Sequence, residues 1–221
     1  MMLGMIKALL VIFPACIGLT VAAGLTGGLS PEQLQALKSG QQVKQIEDIS
    51  DSVWPRVSIY QTIAATPKQV MAVFTDYTNA KEYTPGVTSS EISKTISSQV
   101  KEVDYVVKVP FLADEHYTVR NTFKTLGSSS YRVSWTMVRS TYMKSSEGDF
   151  TVEPFNGGTL VRHRNLSSPA SSLVTPLKAF ALEQSSKTVA SLKNLVETMK
   201  DTQPQQLDSL VTQFKTTIKK P

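Results

Sequence analysis

Cysteine is nearly absent from this 221-residue chain: Cys16 stands alone, so no internal disulfide is available. Histidine is almost as scarce. With only His116 and His163, and no Cys, His, Asp or Glu grouping at metal-ligand spacing, neither a metal centre nor a cofactor is expected. The paired glycines Gly157-Gly158 follow Asn156 and read as a strand turn, and no glycine-rich phosphate loop or nucleophile motif occurs elsewhere. Charge of one sign is also in short supply: 23 basic residues stand against 18 acidic ones, scattered and without a basic block interleaved with aromatics. That distribution argues against a nucleic-acid partner. Catalysis has little to draw on. His116 falls on the wet face of a strand, and His163 shares its face with no Asp, Glu or Cys in its own strand. No catalytic residue is assigned, and an enzymatic role is the less favoured reading.

What is present is apolar. At 41% hydrophobic residues the chain can bury one domain of ordinary size with appendages. Its first 23 residues read as an export signal. Lys7 supplies the positive start, Ala8 to Phe13 and Ile17 to Ala23 the apolar run, and Val21-Ala22-Ala23 a small-residue cleavage site before Gly24. The expectation is a periplasmic or secreted protein, with a retained membrane anchor as the alternative. Phe13-Pro14-Ala15 before Cys16 makes a poor lipoprotein box.

Residues 24–53 form a prelude: Ser30-Pro31-Glu32-Gln33 opens a short helix ending at Gly40, and Gln41 to Ile49 is an ambiguous strand. A strand with Val57, Ile59, Gln61 and Ile63 on alternate positions follows. Then comes the stretch around which the rest is organised. Thr66 caps a helix whose first residue is Pro67, Gln69 completes a capping box, and Val70, Val73, Phe74 and Tyr77 make one apolar face. A second short helix runs to Pro85-Gly86. Over Ala65 to Val87, with its Ala65-Thr66-Pro67, Val73-Phe74, Asp76-Tyr77 and Tyr83-Thr84-Pro85-Gly86-Val87 elements, the chain resembles the START-like superfamily, in particular its polyketide cyclase/dehydrase and coenzyme Q-binding branch. The resemblance implies an α+β helix-grip fold over residues 54–201, a curved antiparallel sheet wrapped around a long C-terminal helix, with a ligand cavity beneath that helix.

Beyond this stretch the residues alternate. Val103, Tyr105, Val107 and Val109 share one face of a strand. Tyr117, Val119, Asn121 and Phe123 do so in the next, and Tyr131, Val133, Trp135 and Met137 in a third. Phe150 and Val152, then Val161 and His163, continue the covered side, opposite Asp149, Arg162 and Arg164 on the wet side. A helix from about Ser172 to Asp201 supplies the cover through Leu177, Ala181, Val189, Leu192, Val196 and Met199. Its middle is thin. Gln184, Ser185, Ser186 and Thr188 sit where a filled core wants Leu or Ile, which points to a cavity wall.

The expected lining is therefore Val103, Tyr105 and Val107; Tyr117, Val119, Asn121 and Phe123; Val133, Trp135 and Met137; Val152, Val161 and His163; and Gln184, Ser185 and Thr188. Such a wall suits a hydrophobic small molecule, a lipid, isoprenoid or polycyclic compound, and the expectation is binding, extending to transport, by a monomer. With no acidic group expected on that face, binding should not respond to pH above the histidine range. Two rivals stand beside this reading: a cyclase or dehydrase using the same pocket, and an envelope protein that binds a partner through its outer face or tail. The tail, residues 202–221, is amphipathic after Pro204, with Leu207, Leu210, Val211, Phe214 and Ile218 at helical spacing; it docks on the domain or makes a peripheral membrane contact.

Overall fold

Two copies of the same short signal start the first two helices. Ser30-Pro31-Glu32-Gln33 and Thr66-Pro67-Lys68-Gln69 each offer a hydroxyl, a proline at the first helical position and a glutamine three residues after the cap. In the computed structural model, which describes residues 24–172 and 174–219, both become reciprocal capping boxes. At the second, the Gln69 backbone N–H donates to Thr66 Oγ1 at 3.3 Å and the Thr66 N–H to Gln69 Oε1 at 2.9 Å. The helices are α1 (Pro31–Lys38) and α2 (Pro67–Phe74). Thr66→Ala is expected to cost about 1 kcal/mol in urea unfolding, since it takes from the Gln69 backbone N–H its acceptor.

Eight strands make one antiparallel sheet among the described residues: β1 (Val43–Glu47), β2 (Arg56–Ile63), β3 (Val87–Thr95), β4 (Val100–Val107), β5 (Glu115–Thr125), β6 (Tyr131–Ser140), β7 (Met143–Phe155) and β8 (Gly158–Pro169). Their spatial order is β1-β2-β8-β7-β6-β5-β4-β3. The β7–β8 hairpin turns at Asn156 and Gly157, with φ of 47° and 76°, the left-handed pair that a two-residue turn between right-twisted strands needs. Helix α3 (Lys178–Thr202) lies across the concave face, and α4 (Pro204–Lys219) follows after Gln203. This is the α+β helix-grip architecture. The N-terminal segment read as an export signal, with Cys16, lies outside the described residues.

The interior is solid at one end. There α2 presses Val70, Met71 and Val73 toward Val133, Val152 and Val161 of the sheet and Val189, Leu192 and Val196 of α3. Phe74 stacks on Phe150 with ring centres 4.0 Å apart. Helix α4 closes the side: its Leu207 and Phe214 are buried, and Phe214 meets Phe123 and Tyr131 edge-on at 5.3 and 5.5 Å. The apolar stripe of the tail is therefore turned into the domain.

Three features depart from the sequence expectation. The long helix proper begins at Lys178, after a 3-10 turn over Thr175–Leu177, because Pro176 supplies no backbone donor at its entry. The convex face is not wholly wet, since α1 seats Leu37 against Tyr60 of β2 and Leu160 of β8. The outer ion pairs are also not all superficial. Arg120–Glu102 and Arg139–Asp104 are ordinary cross-strand pairs, but Asp149 is buried and held by Arg162 at 2.8 Å and Arg164 at 2.7 Å.

Candidate ligand cavity

The other half of the interior is hollow. Between α3 and the strands lies a cavity of about 290 Å³, near the lower edge of the ~300–1,000 Å³ usual for small-molecule sites. Its cause is local. The chain places Gln184, Ser185 and Thr188 on the inward side of α3, and short polar side chains there cannot fill the gap beneath a curved sheet. Ser186, expected with them, points elsewhere; its carbonyl accepts from Gln42 Nε2.

Strand parity brings most of the expected residues to the cavity. Tyr105 and Val107 of β4, Tyr117, Val119 and Asn121 of β5, Trp135 and Met137 of β6 and His163 of β8 all line it. Val103, Phe123, Val133, Val152 and Val161 do not. The four valines are fully buried, and Phe123 sits in the aromatic cluster against α4. Alternation assigns a residue to a face of the sheet but not to a position along it. These five lie on the covered face where the interior is packed.

Several lining residues escaped the sequence reading. Trp54 enters from the segment before β2, and Tyr77 and Tyr83 from the turn after α2, where the Tyr83 hydroxyl donates to the Phe74 carbonyl at 2.8 Å. Gly148 of β7 lets Trp135 lie across the sheet. A Cβ there would come within 2.3 Å of the indole and 2.1 Å of the Arg164 carbonyl oxygen. Most consequential is Glu115, the first residue of β5. It has the parity of Tyr117 and Val119, is buried, and lines the cavity. The expectation of an acid-free wall is thereby corrected, because the strand begins one residue earlier than its alternation suggests.

The polar groups of the wall are incompletely paired. Among the described residues six buried side-chain polar atoms have no hydrogen-bond partner, and five belong to this lining: Trp54 Nε1, Glu115 Oε2, Asn121 Nδ2, His163 Nδ1 and Gln184 Oε1. An unmet buried polar group costs about 1–3 kcal/mol, so their convergence on one cavity is the mark of a site rather than of a core. Burial pushes the phenols of Tyr77, Tyr83, Tyr105 and Tyr117 upward, with neighbouring phenols adding to this at Tyr83 and Tyr105 and Glu115 adding at Tyr117. All four are neutral hydroxyls at physiological pH. Tyr105 and Tyr117 stack with ring centres 5.0 Å apart.

His163 lies at the deep side, its ring 5.2 Å from that of Trp135. Burial pushes its pKa down to about 4, against the opposing pull of Asp149 on the far side of the sheet. The unfolded chain takes up this proton near pH 6.5 and the folded chain does not, so stability falls as pH drops from about 6.5 to about 4 and levels off below. The loss is expected to reach up to about 3 kcal/mol. Urea unfolding of wild type and His163→Gln across that range should show the difference as a shallower pH slope in the variant.

The fold has counterparts in known proteins. A family model described as polyketide cyclase / dehydrase and lipid transport matches residues 55–200. Among solved structures, a STAR-related lipid transfer protein fragment from Xanthomonas axonopodis aligns with a TM-score of 0.64 at 15% identity, covering 71% of this chain and 93% of its own. Human StAR-related lipid transfer protein 5 aligns with a TM-score of 0.63 at 11% identity, over 73% of this chain and 84% of its own. The Zhui aromatase/cyclase from Streptomyces sp. R1128 gives 0.54 at 13% identity, over 65% and 94%. At such identities these likenesses speak to fold. No curated protein matches in sequence. With its model matched over about two thirds of the chain, from the strand before α2 to the end of the gripped helix, the family is settled: this chain belongs to the polyketide cyclase/dehydrase and lipid transport family, within the START-like superfamily.

Proposed function

We propose that this protein binds an apolar small molecule of the lipid, isoprenoid or polycyclic class in the cavity beneath α3 and carries it through an aqueous compartment outside the cytoplasm. One observation carries the reading: a hollow, mainly aromatic and aliphatic interior in which five buried polar atoms await partners. The fold relatives include proteins named for lipid transfer and an aromatase/cyclase, which supports a hydrophobic ligand in either case. Export rests on the N-terminal sequence alone.

A cyclase-type reaction is the second reading, favoured by a neutral His163 and uncharged phenols around the same apolar space, groups able to pass a proton without a metal. A native-state mass spectrum of protein purified from its own host separates the cases. A retained apolar adduct of defined mass is the expected result, and an empty protein that takes up no apolar compound would refute the carrier reading. Turnover lost in His163→Ala with binding kept would favour the enzyme.

A further inference from the structure

The cavity has a chemical polarity that its apolar area conceals. Among the described residues its lining contains one carboxyl group, that of Glu115, and no lysine or arginine. Glu115 is held rather than loose: its Oε1 accepts from Ser140 Oγ at 2.7 Å and from the Thr141 backbone N–H at 2.9 Å, both at the β6–β7 turn. The other oxygen, Oε2, is buried without a partner. Two short bonds on one oxygen fix the plane of the carboxyl group and leave the second oxygen as an acceptor in place.

We infer that Glu115 receives the polar head of the guest, and that the guest is an apolar molecule whose head group donates a hydrogen bond: an alcohol or an amine, not a carboxylic acid or a phosphate ester. The inference rests on the cavity-binding reading and narrows it. A head group that donates meets Glu115 Oε2 and satisfies both partners. An anionic head brings only acceptors to Glu115 Oε2, itself an acceptor, and finds no lysine or arginine among the described residues of the wall. Position along the strand supports the assignment. Six residues separate Glu115 from Asn121 on β5, a rise of about 20 Å, so the carboxyl group stands at the hairpin end of the cavity and Asn121 far inside it. The polar head lies toward the hairpins and the apolar body extends inward along Tyr117 and Val119.

Three fluorescent probes that differ only in the head group test this: 2-naphthylmethanol, 2-naphthylmethylamine and 2-naphthoic acid, titrated into the full chain. The alcohol and the amine are expected to bind at least tenfold more tightly than the acid. Glu115→Gln keeps the shape and the bonds to Ser140 and Thr141 but replaces the free acceptor by a donor, so the preference for the amine should fall at least tenfold and the acid should gain. Ser140→Ala, which removes one of the two bonds that orient the carboxyl group, is expected to reduce the discrimination without abolishing binding. Equal affinity for all three probes, or an unchanged ranking in both variants with intact thermal transitions, would overturn the inference and leave the cavity reading standing. Failure of all three probes to bind the wild-type protein would overturn both.

Discussion

Ser185→Phe is expected to lower affinity for apolar guests by a hundredfold or more while leaving the protein as stable as wild type, or more stable by about 1 kcal/mol. Ser185 sits on the inward face of α3, buried, with its side chain on the cavity wall. Filling that space removes the room a guest needs. It also buries aromatic surface where there was none, and full burial of a phenylalanine side chain stabilises by roughly 1.5–3 kcal/mol, less the cost of fitting it. In a filled core the same exchange would overpack and destabilise by about 1–3 kcal/mol. Thermal unfolding and probe titration on one preparation therefore distinguish hollow from solid by the sign of the stability change.

Asp149→Ala should have the opposite character, a large loss of stability with little direct effect on the cavity. Asp149 has a side-chain exposure of 4%, with Arg162 at 16% and Arg164 at 41% as its partners. Burial opposes ionisation of Asp149, but the hydrogen bond and charge of Arg162, the Thr151 hydroxyl and Arg164 outweigh it and hold its carboxyl below the usual range. Deleting the anion strands Arg162 in a place with little water, and breaking a buried pair from one side costs about 3–5 kcal/mol. Because the folded-state pKa is depressed, the stabilisation is complete above about pH 4 and disappears as pH falls through the folded value. Urea unfolding at pH 7 should show the full difference between wild type and variant, and the two curves should converge on the acid side.

Elements whose signals are local were legible in the sequence. The Thr66-Pro67-Lys68-Gln69 box, the Asn156-Gly157 turn and the alternation of β5 and β6 each depend on residues a few positions apart, and each formed where its pattern lies. β3 was harder to see. Its Ser89-Ser90 and Ser93-Lys94 pairs break alternation, and the structure places register shifts between Val87 and Ser89 and between Ile92 and Lys94. The cavity was legible from α3, where small polar residues replace large apolar ones. Its extent was not. Val133 and Trp135 share a face of β6 and an apolar character, yet one is packed under α2 and the other borders the hollow. That difference is set by how far α2 and α4 reach across the sheet, a distance no periodicity encodes. Glu115 was missed because a charged residue at a strand end reads as solvent-facing, although its parity places it inside.

The most direct test is the electron density between α3 and the sheet in crystals of the protein purified from its host. The account predicts continuous density for a guest running inward from Glu115 along Tyr117 and Val119 toward Asn121 and His163. An interior in which Phe74, Tyr105 and Trp135 have moved together to close that space, with no guest and no room for one, would contradict it.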